Sequence, residues 1–194
     1  MNTIVLEATD HGDMPIDVYH KLSNNRILFV SDRIDDRVGT DITSTLLLKD
    51  AEDPEKKITL FINSSGGDIR NVLMICDMMN MITAPIETVC IGSAMDESVL
   101  ILASGTPGMR YATKNSIISA GQLVHDWIAR SNLTDAKTYL DLAMADNKKM
   151  MEIIAQTTKK PLKEVMTSLE RRVFMNPSQA LKFGLIDKVV TFSK

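Results

Sequence analysis

Apolar residues along this chain gather in short runs, and each run is followed by a longer stretch in which they recur every three or four positions. RILFV (26–30), ITLFIN (58–63) and IETVCIG (86–92) read as buried strands. IDDRVGTDITSTLLLKDAED, with Val38, Ile42, Leu46 and Leu47 at helical spacing, reads as a helix, and the polar link DPEKK ends it. A second helix is predicted over 68–82 with Asp68 as its N-cap, and a third over MDESVLILAS, closed by Gly105 as C-cap. RYAT and NSIIS are two short strands. A polar segment, GQLVHDWIARSN, precedes a long helix from about Leu133 to Thr158. Pro161 opens a short helix, Asn176-Pro177 caps another that Gly184 stops, and LIDKVV is the last strand. Strand alternating with helix, with strands apolar throughout, implies an α/β domain whose mostly parallel sheet is covered by helices.

A chain of 194 residues, 44% of them hydrophobic, can bury one sizeable core but not two, so residues 1–194 are expected to form one domain. Residues 1–15, polar with Gly and Pro, are expected to be a flexible arm. Twenty-two Lys and Arg against 25 Asp and Glu give a net charge of -3. No basic field is available to collect nucleic acid or an anionic membrane, so neither is expected as a partner. The N-terminal stretch lacks the basic and apolar regions of a leader, and no run approaches the roughly 18 to 20 apolar residues of a membrane span, so a cytoplasmic location is expected. Cys76 and Cys90 lie inside apolar segments and fit buried, reduced thiols. His11, His20 and His125 are scattered, so no metal-ligand spacing emerges, and no cofactor is expected. Thirteen Met against five Phe and one Trp make soft packing material.

In a parallel α/β sheet, loops at the carboxyl ends of strands are where ligands bind. Two such corners stand out: SSGGD after ITLFIN, and GSAMDE after IETVCI. Gly66 and Gly67 allow backbone N–H groups to approach a reacting oxygen, and the start of the following helix offers free N–H groups and a positive dipole end. Together these are the parts of an oxyanion hole. A tight strand-to-helix turn accounts for the glycines equally well.

FINSSGGDI resembles the FINSPGGSV-type corner of the Clp protease proteolytic subunit (ClpP) family, and GSAMDESVLILASGTPGMRYATKNS resembles the family stretch that carries its nucleophile. DVYHKLSNNRILFVSDRIDD, LKDAEDPEK and NPSQALKFGLIDKVV extend the likeness from about Asp17 to Val190. The resemblance implies a crotonase-like (ClpP-like) spiral of strand-helix units with a protruding helical handle at about 122–158. It also implies heptameric rings stacked into a tetradecameric barrel of ClpP-type subunits, alike or mixed, on which an AAA+ unfoldase docks. For that docking pocket Phe61 supplies one aromatic, while Thr59 stands where a second is common.

A peptidase of this type needs a serine, a histidine to activate it and an aspartate to orient the histidine. By resemblance, the serine position falls on Asp96, the histidine position on Gly121 in NSIISAGQ, and the aspartate position on Arg172 in ERRVF. All three functions are lost together. Gly67 N–H and the backbone N–H of Glu97 remain in the places that match the oxyanion hole. The expectation is therefore a catalytically inactive, structural or regulatory subunit of an ATP-dependent Clp protease complex. A short N-terminal stretch agrees with this, because a subunit that cannot cut needs no self-processing.

Rival readings remain open at this stage. One is an active ATP-dependent serine endopeptidase with an unrecognised triad that draws on Ser93, Ser98, Ser119 or His125; against it, Ser98 and Ser119 read as packed or solvated hydroxyls and His125 as a surface imidazole beside Trp127. Another is acyl-thioester chemistry with Glu97 or Asp96 as general base. For the acids themselves three roles are expected. They can cap a helix start; Asp96 can pair with Arg172 through the space left by Gly121, as a buried pair costing on the order of 3 kcal/mol to break; or Asp96 can sit in the oxyanion hole itself.

Overall fold

A computed structural model describes residues 3–9, 12–123 and 132–190. The segment expected as a flexible arm is an antiparallel hairpin of β1 (Ile4–Thr9) and β2 (Gly12–Asp17), paired along its whole length. Ile4 and Leu6 of this hairpin stay exposed, so the segment buries no apolar face that its sequence could have signalled.

From there the chain runs α1 (Val18–Asn24), β3 (Ile27–Ser31), α2 (Asp36–Glu52), β4 (Ile58–Ser64), α3 (Ile69–Met81), β5 (Ile86–Ala94) and α4 (Ser98–Ala103). It continues through β6 (Arg110–Thr113), β7 (Ile117–Ala120), α5 (Leu133–Thr158), α6 (Leu162–Ser168), β8 (Val173–Met175), α7 (Pro177–Phe183) and β9 (Lys188–Val190). The order β3-β4-β5-β6-β9 is parallel throughout; β7 pairs in parallel with the far end of β5 and carries β8 antiparallel. This is the mixed α/β architecture that the strand-helix alternation predicts. The handle expected at about 122–158 contains the 26-residue α5; residues 124–131 of that range lie outside the described residues.

The core lies between the sheet and the helices α2, α3, α4 and α5. Leu60, Ile62, Ile75, Ile101 and Met150 are wholly buried in it. Helix α2 turns Ile42, Leu46 and the Thr43 methyl inward, whereas Leu47, expected on the same stripe, is 49% exposed. One residue past Leu46 is a rotation of about 100°, which carries Leu47 off the buried face. Cys76 and Cys90 are free and buried, and burial pushes their thiols up to about 12 and about 11, so both stay neutral. Asp68 and Asn176 cap α3 and α7 as expected, and Gly184 takes the left-handed stop. Gly105 does not. It lies one residue beyond the C-cap Ser104 and packs on Thr88.

Two buried arginines hold loops that the core alone leaves loose. The Arg26 guanidinium donates to four backbone carbonyls, those of Lys49 (2.7 Å), Lys56 (2.7 Å), Asp53 (3.0 Å) and Lys57 (3.2 Å), closing the end of α2. Arg110 forms a two-pronged pair with Asp187 at 2.6 and 2.8 Å, and the Asp187 carboxylate also accepts the N–H groups of Gly108 and Arg110. The Arg110 hydrogen bonds hold the Asp187 carboxyl below the usual carboxylate range against the opposing effect of burial.

Arg26→Ala should lower the unfolding free energy in urea by about 3 kcal/mol, because buried carbonyls lose a charged donor, and Arg26→Lys should recover less than half of that. For Asp187 the folded pKa is depressed relative to the unfolded chain. Its contribution is therefore complete above about pH 5 and drains away as pH falls through about 4 and below, and stability curves of Asp187→Asn should lack that component.

Candidate functional site

Strands β4 and β5 run side by side in parallel, so their carboxyl ends deliver the two glycine-bearing corners to one place. The corners are stitched together: the Met95 N–H donates to the Ser64 carbonyl at 3.0 Å, and the Ser98 hydroxyl bridges the carbonyls of Met95 (2.7 Å) and Ser64 (3.2 Å). On the β4 side, the Ile34 N–H donates to the Gly66 carbonyl and the Asp68 N–H to the Ile34 carbonyl, which draws the 34 backbone against Gly67. A Cβ on Gly67 would lie 2.2 Å from the Ile34 carbonyl oxygen, so no side chain fits there.

On the β5 side, Asp96 sits in the left-handed region at φ 51, a sharp corner between strand and helix. Its N–H donates to the Ser119 carbonyl at 3.0 Å, tying the corner to β7. Helix α4 begins only at Ser98, with Glu97 at its N-cap and no side-chain cap hydrogen bond. The expected capping by acids of the first turn is not what is seen: no acid lies in that turn, and Glu97, at the N-cap, gives the helix no side-chain hydrogen bond. Both acids are turned toward other partners.

The antiparallel register of β7 with β8 pairs Ala120 with Val173, and one step further places Gly121 opposite Arg172. The approach is close: a Cβ on Gly121 would lie 2.7 Å from the Arg172 Cα. From there the Arg172 side chain reaches Asp96, Nη2 to Oδ2, at 2.9 Å. The three residues singled out on sequence thus lie together, and two of them form an ion pair. The pair is not buried, however. The Arg172 side chain is 45% exposed and that of Asp96 25%, so the larger cost expected for a buried pair does not apply.

The Asp96 carboxylate does not occupy the glycine corner. Glu97 does: its Oε2 accepts the Gly67 N–H at 3.1 Å. The approach to the N-terminus of α3 favours a negative charge at this point. On sequence Glu97 is expected as a backbone donor, a helix-start acid or a general base, and only Asp96 is expected to sit in the oxyanion hole; no pattern in the sequence distinguishes which of two adjacent acids turns inward.

The other candidates are placed as follows. Ser98 and Ser119 are buried, with Ser98 bonded to backbone carbonyls and the Ser119 hydroxyl 3.4 Å from the Asp96 nitrogen. The Ser93 hydroxyl is 3.3 Å from the Asn63 side-chain oxygen, on the strand before the corner. His11, His125 and Trp127 lie outside the described residues, and His20 is on α1, beside Phe29. Among the described residues, no imidazole is bonded to any of these serines, and no group of three His, Cys, Asp or Glu is arranged to hold a metal ion. No helix among them is long and apolar enough to cross a membrane.

Phe61 belongs to a second feature. It stacks on Phe29 (5.3 Å between centroids, 22°), whose edge meets Tyr19 at 5.6 Å. Phe29 and Tyr19 line a cavity of about 470 Å³ with His20, Val38 and Ile42. Thr59, by contrast, gives its hydroxyl to Glu87 at 3.0 Å. Tyr19 and Phe29 were missed because they come from different elements, although parallel pairing of Phe29 with Phe61 places them side by side on one face.

A family model described as Clp protease matches residues 10–193.

A double-mutant cycle on Asp96→Ala and Arg172→Ala, read by urea unfolding, should return a coupling of about 0.5 to 1 kcal/mol that shrinks in high salt. Strict additivity of the two changes would show that the pair contributes nothing.

Proposed function

The chain belongs to the Clp protease family, and we propose that it serves there as a noncatalytic, structural or regulatory subunit of a cytoplasmic barrel built from rings of ClpP-type subunits. One observation carries this reading: Asp96, Gly121 and Arg172, which the resemblance puts at the nucleophile, base and orienting-acid positions, lie together, with Asp96 and Arg172 joined by an ion pair and Gly121 against the Arg172 backbone. A carboxylate paired with a guanidinium is not an activated hydroxyl, and glycine can neither take nor return a proton. The framework around them, two corners stitched by backbone hydrogen bonds, is intact, which suits a subunit kept for assembly.

The barrel's other parts follow the family. Mixed rings with an active paralogue give an inactive subunit a use, and the aromatic group of Tyr19, Phe29 and Phe61 is the surface proposed to receive an AAA+ unfoldase. Thr59, committed to Glu87, removes one aromatic from that surface and weakens the docking.

The purified chain should hydrolyse a fluorogenic peptide no faster than buffer, and Asp96→Ser should not change this, since a hydroxyl alone lacks its base. Co-expressed with an active Clp-type subunit, it should elute in one complex of barrel-like native mass. Hydrolysis abolished by Ser93→Ala or Ser98→Ala would instead establish an active peptidase.

A further inference from the structure

The Gly67 N–H group, which the family resemblance puts in the oxyanion hole, is already donating, to Glu97 Oε2 at 3.1 Å. The same oxygen lies 2.4 Å from where a Cβ on Gly66 would stand, so the carboxylate rests directly on the bare glycine backbone. Glu97 is aimed there by the left-handed turn at Asp96, and that turn is held from three directions: the Asp96 N–H on Ser119, the Met95 N–H on Ser64 and the Asp96 carboxylate on Arg172. Residue 97 is thus positioned by its neighbours.

We infer that Glu97 is a built-in plug, an autoinhibitory contact by which the chain closes its own peptide cleft. The inference rests on the reading of this corner as a former oxyanion hole. Its physical basis is a competition for one donor. A charged acceptor forms a hydrogen bond roughly twice as strong as a neutral one, so a peptide carbonyl cannot displace the tethered carboxylate on equal terms. Tethering adds to this, because the intramolecular carboxylate has no association entropy to overcome. The subunit is then inert in two separate ways: it cannot cut a peptide, and it cannot hold one at this corner. Extended substrate moving through the barrel would pass this subunit without arresting on it.

The test uses the assembled, full-length protein. Hydrogen exchange followed by mass spectrometry should show the fragment containing Gly67 exchanging at least about tenfold faster in Glu97→Ala than in the natural protein, as expected from losing a charge-assisted bond. Glu97→Gln, whose side-chain oxygen can still accept, should keep most of the protection. Anisotropy of a fluorescein-labelled apolar octapeptide, capped at both ends, should report binding at least about tenfold tighter to Glu97→Ala than to the natural protein. Unchanged exchange at Gly67, or equal peptide affinity, overturns the plug and leaves the noncatalytic reading untouched. Turnover of a fluorogenic peptide by the natural protein overturns that reading, and the plug with it.

Discussion

Parallel pairing of β4 with β5 is the constraint on which the site depends. Two adjacent parallel strands must end at the same edge of the sheet, so the chain leaves each of them at neighbouring points. The Met95 to Ser64 hydrogen bond then locks one exit to the other. With the exits locked, Gly67 and the residues from Asp96 to Ser98 share a single small volume. The β7–β8 ladder, the antiparallel part of this sheet, brings Gly121 and Arg172 to its border through β7's own pairing with the end of β5.

Charge decides what happens inside that volume. The two adjacent carboxylates have different partners. Asp96 takes Arg172, and Glu97 takes the Gly67 amide near the start of α3. Neither choice requires deep burial, which is why the ion pair is modest in energy while the arrangement is still well defined: geometry comes from the backbone, and the charges only occupy it. Gly121 completes the arrangement from the other side. The backbone of 172 packs so closely against it that a side chain at 121 would force the two strands apart. The close approach of β7 and β8 at this point therefore calls for glycine at 121.

The chain belongs to the Clp protease family, and its two corners are held as one framework. The hydrogen bonds that shape the corners run mostly between backbone groups, with the Ser98 hydroxyl adding two more. Asp96 and Arg172 are partners of one another, and Glu97 is a partner of the backbone.

Much of this was open to reading in the sequence. The strand-helix alternation, the caps at Asp68 and Asn176 and the buried cysteines follow from residue type and spacing, which are local properties, whereas the grouping of Asp96, Gly121 and Arg172 was legible only through the family resemblance. The hairpin at 4–17 was not read, since exposed residues with mixed polarity carry little periodic signal. Leu47 was misplaced by one step around a helix, and Gly105 was given a dihedral role where its small size matters instead. What only the tertiary structure decided is which acid faces which partner and how exposed the pair is. Adjacent carboxylates are equivalent as letters. They become different when a left-handed turn at Asp96, held by Ser119 and Ser64, points one at Arg172 and the other at the Gly67 amide, and that turn exists only once three strands have met.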